Sequence, residues 1–184
     1  MRRIGFVALV TIVLLAGAAM TYAGNGKAVP GWNSNSAKYT AMTVANPNDP
    51  AEVSDTLVRE KTPDAVLDQH MKALNGCDWK GLMQQYPDSY EIRMPGGTVV
   101  TGREDTAALF AGFVLPPDKG GLCGIKFTEI SRQVTGGTLA VTWEADAPFL
   151  AEPYQGSDAY ITDDGLMVSM VSTFDGAALK LKED

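Results

Sequence analysis

The sequence predicts an α+β fold, with N-terminal helices packed on one face of a curved antiparallel sheet around a pocket. Three observations predict it. Capped amphipathic helices come early, strand–turn–strand patterns fill the second half, and one late strand carries a period of two in its apolar residues.

The chain has 184 residues, 45% hydrophobic and 20% charged, which suits one globular domain with extensions. It begins with the basic "MRR", an apolar run "IGFVALVTIVLLAGAAM" and small residues at Thr21, Ala23 and Gly24. That arrangement reads as a cleaved secretory signal over residues 1–23, so the expected location is periplasmic or secreted, with no membrane attachment after cleavage. The alternative is an uncleaved anchor, for which the run is short. Residues 24–60 read as an N-terminal arm. Its first part is rich in Gly, Asn, Ser and Pro, and "DPAEVSDTLVRE" predicts a short helix with Asp49 as cap and Pro50 in the first turn.

The domain is expected over residues 61–184. In "TPDAVLDQHMKALNG", Thr62 caps, Pro63 opens, and Gly76 ends a helix whose buried stripe is Val66, Leu67, Met71 and Leu74. His70, the only histidine, sits on the flank of that stripe. "DWKGLMQQY" predicts a second helix capped by Asp78. "SYEIRM" and "TVVTG" are strands around the turn "PGG", and "GREDTAALFAGFVL" is a helix ended by Pro116 and Pro117. "IKFTEISRQV" and "TLAVTWEADA" flank "TGG", and "GSDAYIT" and "LMVSMVSTF" flank "DDG", giving two long hairpins. In the second strand Leu139, Val141, Trp143 and Ala145 alternate with Thr142, Glu144 and Asp146.

Charge and motifs narrow the function. The net charge is −7 and there is no Lys/Arg cluster, which argues against nucleic-acid binding. There is no phosphate loop, HExxH, GxSxG or EF-hand spacing, so no cofactor is expected. Cys77 and Cys123 are the only cysteines. An exported chain would use them as one disulfide rather than as two buried thiols, and without a CxxC or a second histidine no metal site is expected.

The ordered set Gly76 and Asp78, Tyr86, Pro87-Asp88, Pro95 and Gly102-Arg103-Glu104, with the later "DDG" turn, resembles the NTF2-like superfamily in its SnoaL-like and ketosteroid-isomerase-like branch. The resemblance spans residues 62–175. It implies a cone with a cavity between the sheet and the first long helix. It also implies an acid before the hairpin proline, a Tyr on the first helix and a second acid on a late strand. In this chain those positions are Met94, His70, and Asp158 or Ser157. A thioether takes no proton from carbon, so the ordinary ketosteroid-isomerase mechanism is not expected.

His70 and Asp158 are therefore the candidate catalytic pair. Leu74, Tyr86, Tyr90, Met94, Phe110 and Trp143 are the candidate pocket lining. Strand parity puts Asp158 with Tyr160 and opposite Ala159 and Ile161; if the aliphatic face lines the cavity, Asp158 points outward. The leading expectation is an exported protein that binds a small apolar molecule, with isomerase- or lyase-type proton transfer as its chemistry. The alternative is a non-catalytic module for homodimerisation or partner binding.

Overall fold

A computed structural model describes residues 53–182, together with Asn48 and the backbone of residues 20–21 and 28–29. Most of the predicted signal segment, the predicted cap Asp49 and Pro50 lie outside the described residues. Two short antiparallel strands, β1 (Met20–Thr21) and β2 (Ala28–Val29), pair with each other. No helix among the described residues is long and apolar enough to cross a membrane.

The chain has an α+β fold. Helices α1 (Pro63–Asn75), α2 (Trp79–Met83) and α3 (Arg103–Phe113) accompany a curved six-stranded sheet. Its strands are β3 (Glu91–Arg93), β4 (Val99–Thr101), β5 (Lys126–Thr135), β6 (Thr138–Asp146), β7 (Tyr154–Asp163) and β8 (Leu166–Ser172), in the order β4-β3-β8-β7-β6-β5. Bulges near Glu129 on β5 and Ile161 on β7 help the sheet bend. The predicted antiparallel sheet has one exception. β3 runs parallel to β8, with Ile92 opposite Met170. The chain reaches β3 through α2 on one side of the sheet, so β3 docks beside the last strand rather than extending a hairpin from it.

Local chemistry sets each helix. The Thr62 hydroxyl accepts the Ala65 amide at 3.2 Å, and Pro63 fills the first turn, where its missing N–H costs nothing. The Asp78 carboxylate accepts the Gly81 amide at 2.9 Å and so starts α2. The Trp79 indole donates to the Ala107 carbonyl at 2.9 Å, which ties α2 to α3. Asn75, at the end of α1, forms a double hydrogen bond with the Phe127 backbone, donating to its carbonyl at 2.9 Å and accepting its amide at 2.7 Å. The Cys77–Cys123 disulfide, Cα–Cα 5.6 Å, closes the adjoining turn against the segment that leads into β5. Together these contacts hold α1 across the hollow of the sheet.

The predicted helix after Asp49 is not present over residues 53–60, which are irregular. This stretch is a strap. The Val58 amide donates to Gln84 O and the Glu60 amide to Gly165 O, both at 2.9 Å. Arg103 draws the strap in by donating to the carbonyls of Ser54 and Met83. The segment has too little apolar surface to stabilise a short helix, so pairing with the fold prevails.

Candidate functional site

The hollow between α1, α3 and the sheet contains a cavity of about 50 Å³. That is room for a few waters or one small organic group. A larger guest requires the Met71, Met94 and Met170 side chains on its wall to move. Ring faces of Phe110, Phe113, Phe127, Trp143 and Phe174 make most of the remaining wall, and His70, Asp158, Tyr160 and Ser172 are its polar members.

His70 is 1% exposed. It comes from the middle of α1, one turn after Val66 and one turn before Leu74, so the helix that buries those residues buries the imidazole too. Desolvation moves its pKa from the usual 6.5 to about 4, so the ring is neutral at pH 7. Its Nδ1 lies 3.0 Å from the Tyr86 hydroxyl. When Tyr86 donates, Nε2 carries the ring proton; when Nδ1–H donates, Nε2 is a bare acceptor.

Asp158 faces inward. Along β7 the buried residues are Asp158, Tyr160 and Thr162, while Ala159 and Ile161 are only partly covered. The aliphatic face of this strand is therefore the outer one, and the condition under which Asp158 would point outward is not met. The large ring of Tyr160 fills the hollow better than Ala159, and the carboxylate follows it. Asp158 accepts the Thr173 amide at 2.9 Å and the Tyr160 hydroxyl at 3.1 Å. Burial raises its pKa, and the Thr173 amide, the Ser172 and Tyr160 hydroxyls and the nearby Trp143 indole work in the opposite direction. Ser157, the alternative position for the late-strand acid, is exposed.

His70 and Asp158 share the cavity wall without bonding to each other. The His70 hydrogen bond goes to Tyr86, and those of Asp158 go to Thr173 and Tyr160. The Tyr160 ring lies 5.4 Å from the imidazole, between the two polar groups. Of the sequence-selected lining, Leu74, Met94, Phe110 and Trp143 lie on the wall. Tyr86 and Tyr90 do not. They stack on each other with centroids 4.2 Å apart behind His70, and burial raises the pKa of both. Both precede the hairpin and pack under α1 rather than over the hollow.

Sequence reasoning missed Phe113, Phe127 and Phe174 on the wall. Phe127 was detectable as the apolar residue opening the β5 pattern, but its pairing with Asn75 has no local signature. Gly156 also positions the site. It faces Trp143 across β6 and β7, and a Cβ there would lie 2.5 Å from the indole. Among the described residues, no group of three His, Cys, Asp or Glu side chains is arranged to hold a metal.

Solved structures share this architecture. An NTF2-like protein of unknown function from Cytophaga hutchinsonii superposes with TM-score 0.51 at 13% identity, covering 63% of this chain and 92% of that one. A provisionally assigned ketosteroid isomerase from Kribbella flavida gives TM-score 0.51 at 18% identity, covering 66% and 78%. TerC, crystallised with polyporic acid, gives TM-score 0.51 at 16% identity, covering 63% and 93%. No family model and no curated protein matches the sequence. The chain has the fold of the NTF2-like superfamily.

Proposed function

We propose that this is an exported protein that takes a small, largely apolar molecule into the hollow of its cone and exchanges protons with it through Asp158 and His70. One observation carries the reading: two titratable groups stand in an otherwise apolar wall, each displaced from its ordinary ionisation by burial. At pH 7 His70 is a neutral imidazole, able to accept a proton as a weak base. Asp158 is a carboxylate whose basicity is raised by desolvation. Tyr160 stands beside both, its ring against the imidazole and its hydroxyl donating to Asp158, and so positions the carboxylate on the wall.

The solved neighbours support the ligand class. One is a provisionally assigned ketosteroid isomerase, and another was crystallised with an organic acid. Met94 stands where the resemblance puts the isomerase base, so the reaction class is isomerase- or lyase-type proton transfer without that base. Export rests on the first 23 residues of the sequence and fits the Cys77–Cys123 bridge.

Native mass spectrometry of the protein from its source cells tests the reading. The expected result is a co-released organic molecule, absent from His70→Leu protein whose circular dichroism is unchanged. Wild-type protein that carries no ligand and takes up none of a panel of flat apolar carbonyl compounds overturns it. A second reading, a module for homodimers or other partners, is favoured by Ile130 and Val171, which are 57% and 44% exposed on the sheet.

A further inference from the structure

We infer that the hollow selects a ligand whose buried end is an organic cation, an ammonium carried on an apolar body. This rests on the pocket reading above and adds the sign of the ligand's charge. The cavity joins two features that each favour a cation. The first is the aromatic wall. Phe127 is 5.3 Å from Trp143 and 5.7 Å from Phe174, and Phe113 is 6.0 Å from Phe174, centroid to centroid. These rings pack edge to face or tilted on one another, and all four residues line the cavity, so an ammonium in the hollow has aromatic groups around it and gains wherever it lies over a ring face.

The second feature is Asp158. It accepts from the Thr173 amide and the Tyr160 hydroxyl, and these donors, with the nearby Ser172 hydroxyl and Trp143 indole, favour its ionised form against the burial that opposes it. No Lys or Arg among the described residues pairs with it; the ion pairs of the fold lie elsewhere, at Arg59, Arg93, Arg103, Arg132 and Lys180. A buried carboxylate without a counter-ion is costly, and a cationic guest offsets that cost. The neighbouring imidazole is neutral at pH 7 and does not compete for the place. The net charge of −7 favours approach of a cation over an anion.

The cavity of about 50 Å³ matches a small head group, and the flexible methionines make way for its body. A neutral isostere keeps the apolar contacts but loses the charge terms, and a carboxylate of the same shape meets Asp158 head-on.

The test titrates the full chain at pH 7.5 with benzylammonium, benzyl alcohol and benzoate, using calorimetry or ligand-observed NMR. Benzylammonium is expected to bind at least about tenfold tighter than benzyl alcohol, with benzoate weakest. In Asp158→Asn the ammonium preference should vanish while benzyl alcohol binding stays within about twofold. Phe174→Leu keeps the carboxylate and should reduce the preference several-fold, which covers the case in which Asp158→Asn fails to fold. Equal binding of ammonium and alcohol to the wild type, or a preference that survives both substitutions, overturns the charge assignment and leaves the pocket standing. Absence of binding by all three probes overturns both.

Discussion

At the scale of single residues, His70 gives the most direct observable. Its folded pKa, about 4, lies below the usual 6.5, so above pH 6.5 neither the folded nor the unfolded state holds the proton. As pH falls below 6.5 the unfolded chain takes up the proton first, and stability falls until pH 4. A shift of that size corresponds to roughly 3 kcal/mol. Asp158, whose pKa is raised by burial, acts in the opposite sense: the folded chain takes up that proton first as pH falls. Since His70 is the only histidine, the difference between wild-type and His70→Gln stability curves isolates its term. Denaturant midpoints from pH 7.5 to 4 should diverge as the wild type loses stability; parallel curves would show a solvated imidazole. The sequence made this residue visible through its spacing from Val66 and Leu74. Its hydrogen bond to Tyr86, by contrast, crosses between two elements and leaves no local pattern.

At the scale of elements, the strap over residues 53–60 depends on Arg103. The guanidinium is 8% exposed and donates to carbonyls on the strap and on α2 at once. Arg103→Ala leaves both carbonyls without that donor and should cost about 2–3 kcal/mol, since hydrogen bonds to charged groups are the stronger kind. Urea unfolding measures the loss, and hydrogen exchange at the Val58 and Glu60 amides should accelerate more than exchange at β6. Uniform acceleration across the sheet would mean that the strap is not a separate unit. These elements also show how far local pattern reaches. β6 was legible because its alternation is forced by one buried and one solvated face, and Leu139, Val141, Trp143 and Ala145 are all buried. The strap was not. Its Asp49-Pro50 start carries a genuine helix-start signal, but carbonyls at Gln84 and Gly165 take its amides instead. The direction of Asp158 fell between these cases. Alternation fixes which residues share a face, and only packing decides which face is inside.

At the scale of the whole molecule, the Cys77–Cys123 bridge joins positions 46 apart and anchors the mouth of the helix layer to the sheet. Replacing both cysteines by serine should lower stability by about 3–4 kcal/mol through the freed unfolded chain. Calorimetry of the double variant measures this, and an unchanged melting temperature would show that the link constrains nothing the fold does not already hold. Asn75 and Phe127 span the same seam, so the variant should still fold with α1 in place. The parallel pairing of β3 with β8 sets a different kind of limit. Glu91 meets Ser169 only after β8 has been made, so a partial chain can pair β3 with β4 but cannot join that hairpin to the long strands. Assembly of the sheet therefore waits on β8, the strand that stitches an early short hairpin to three long late strands.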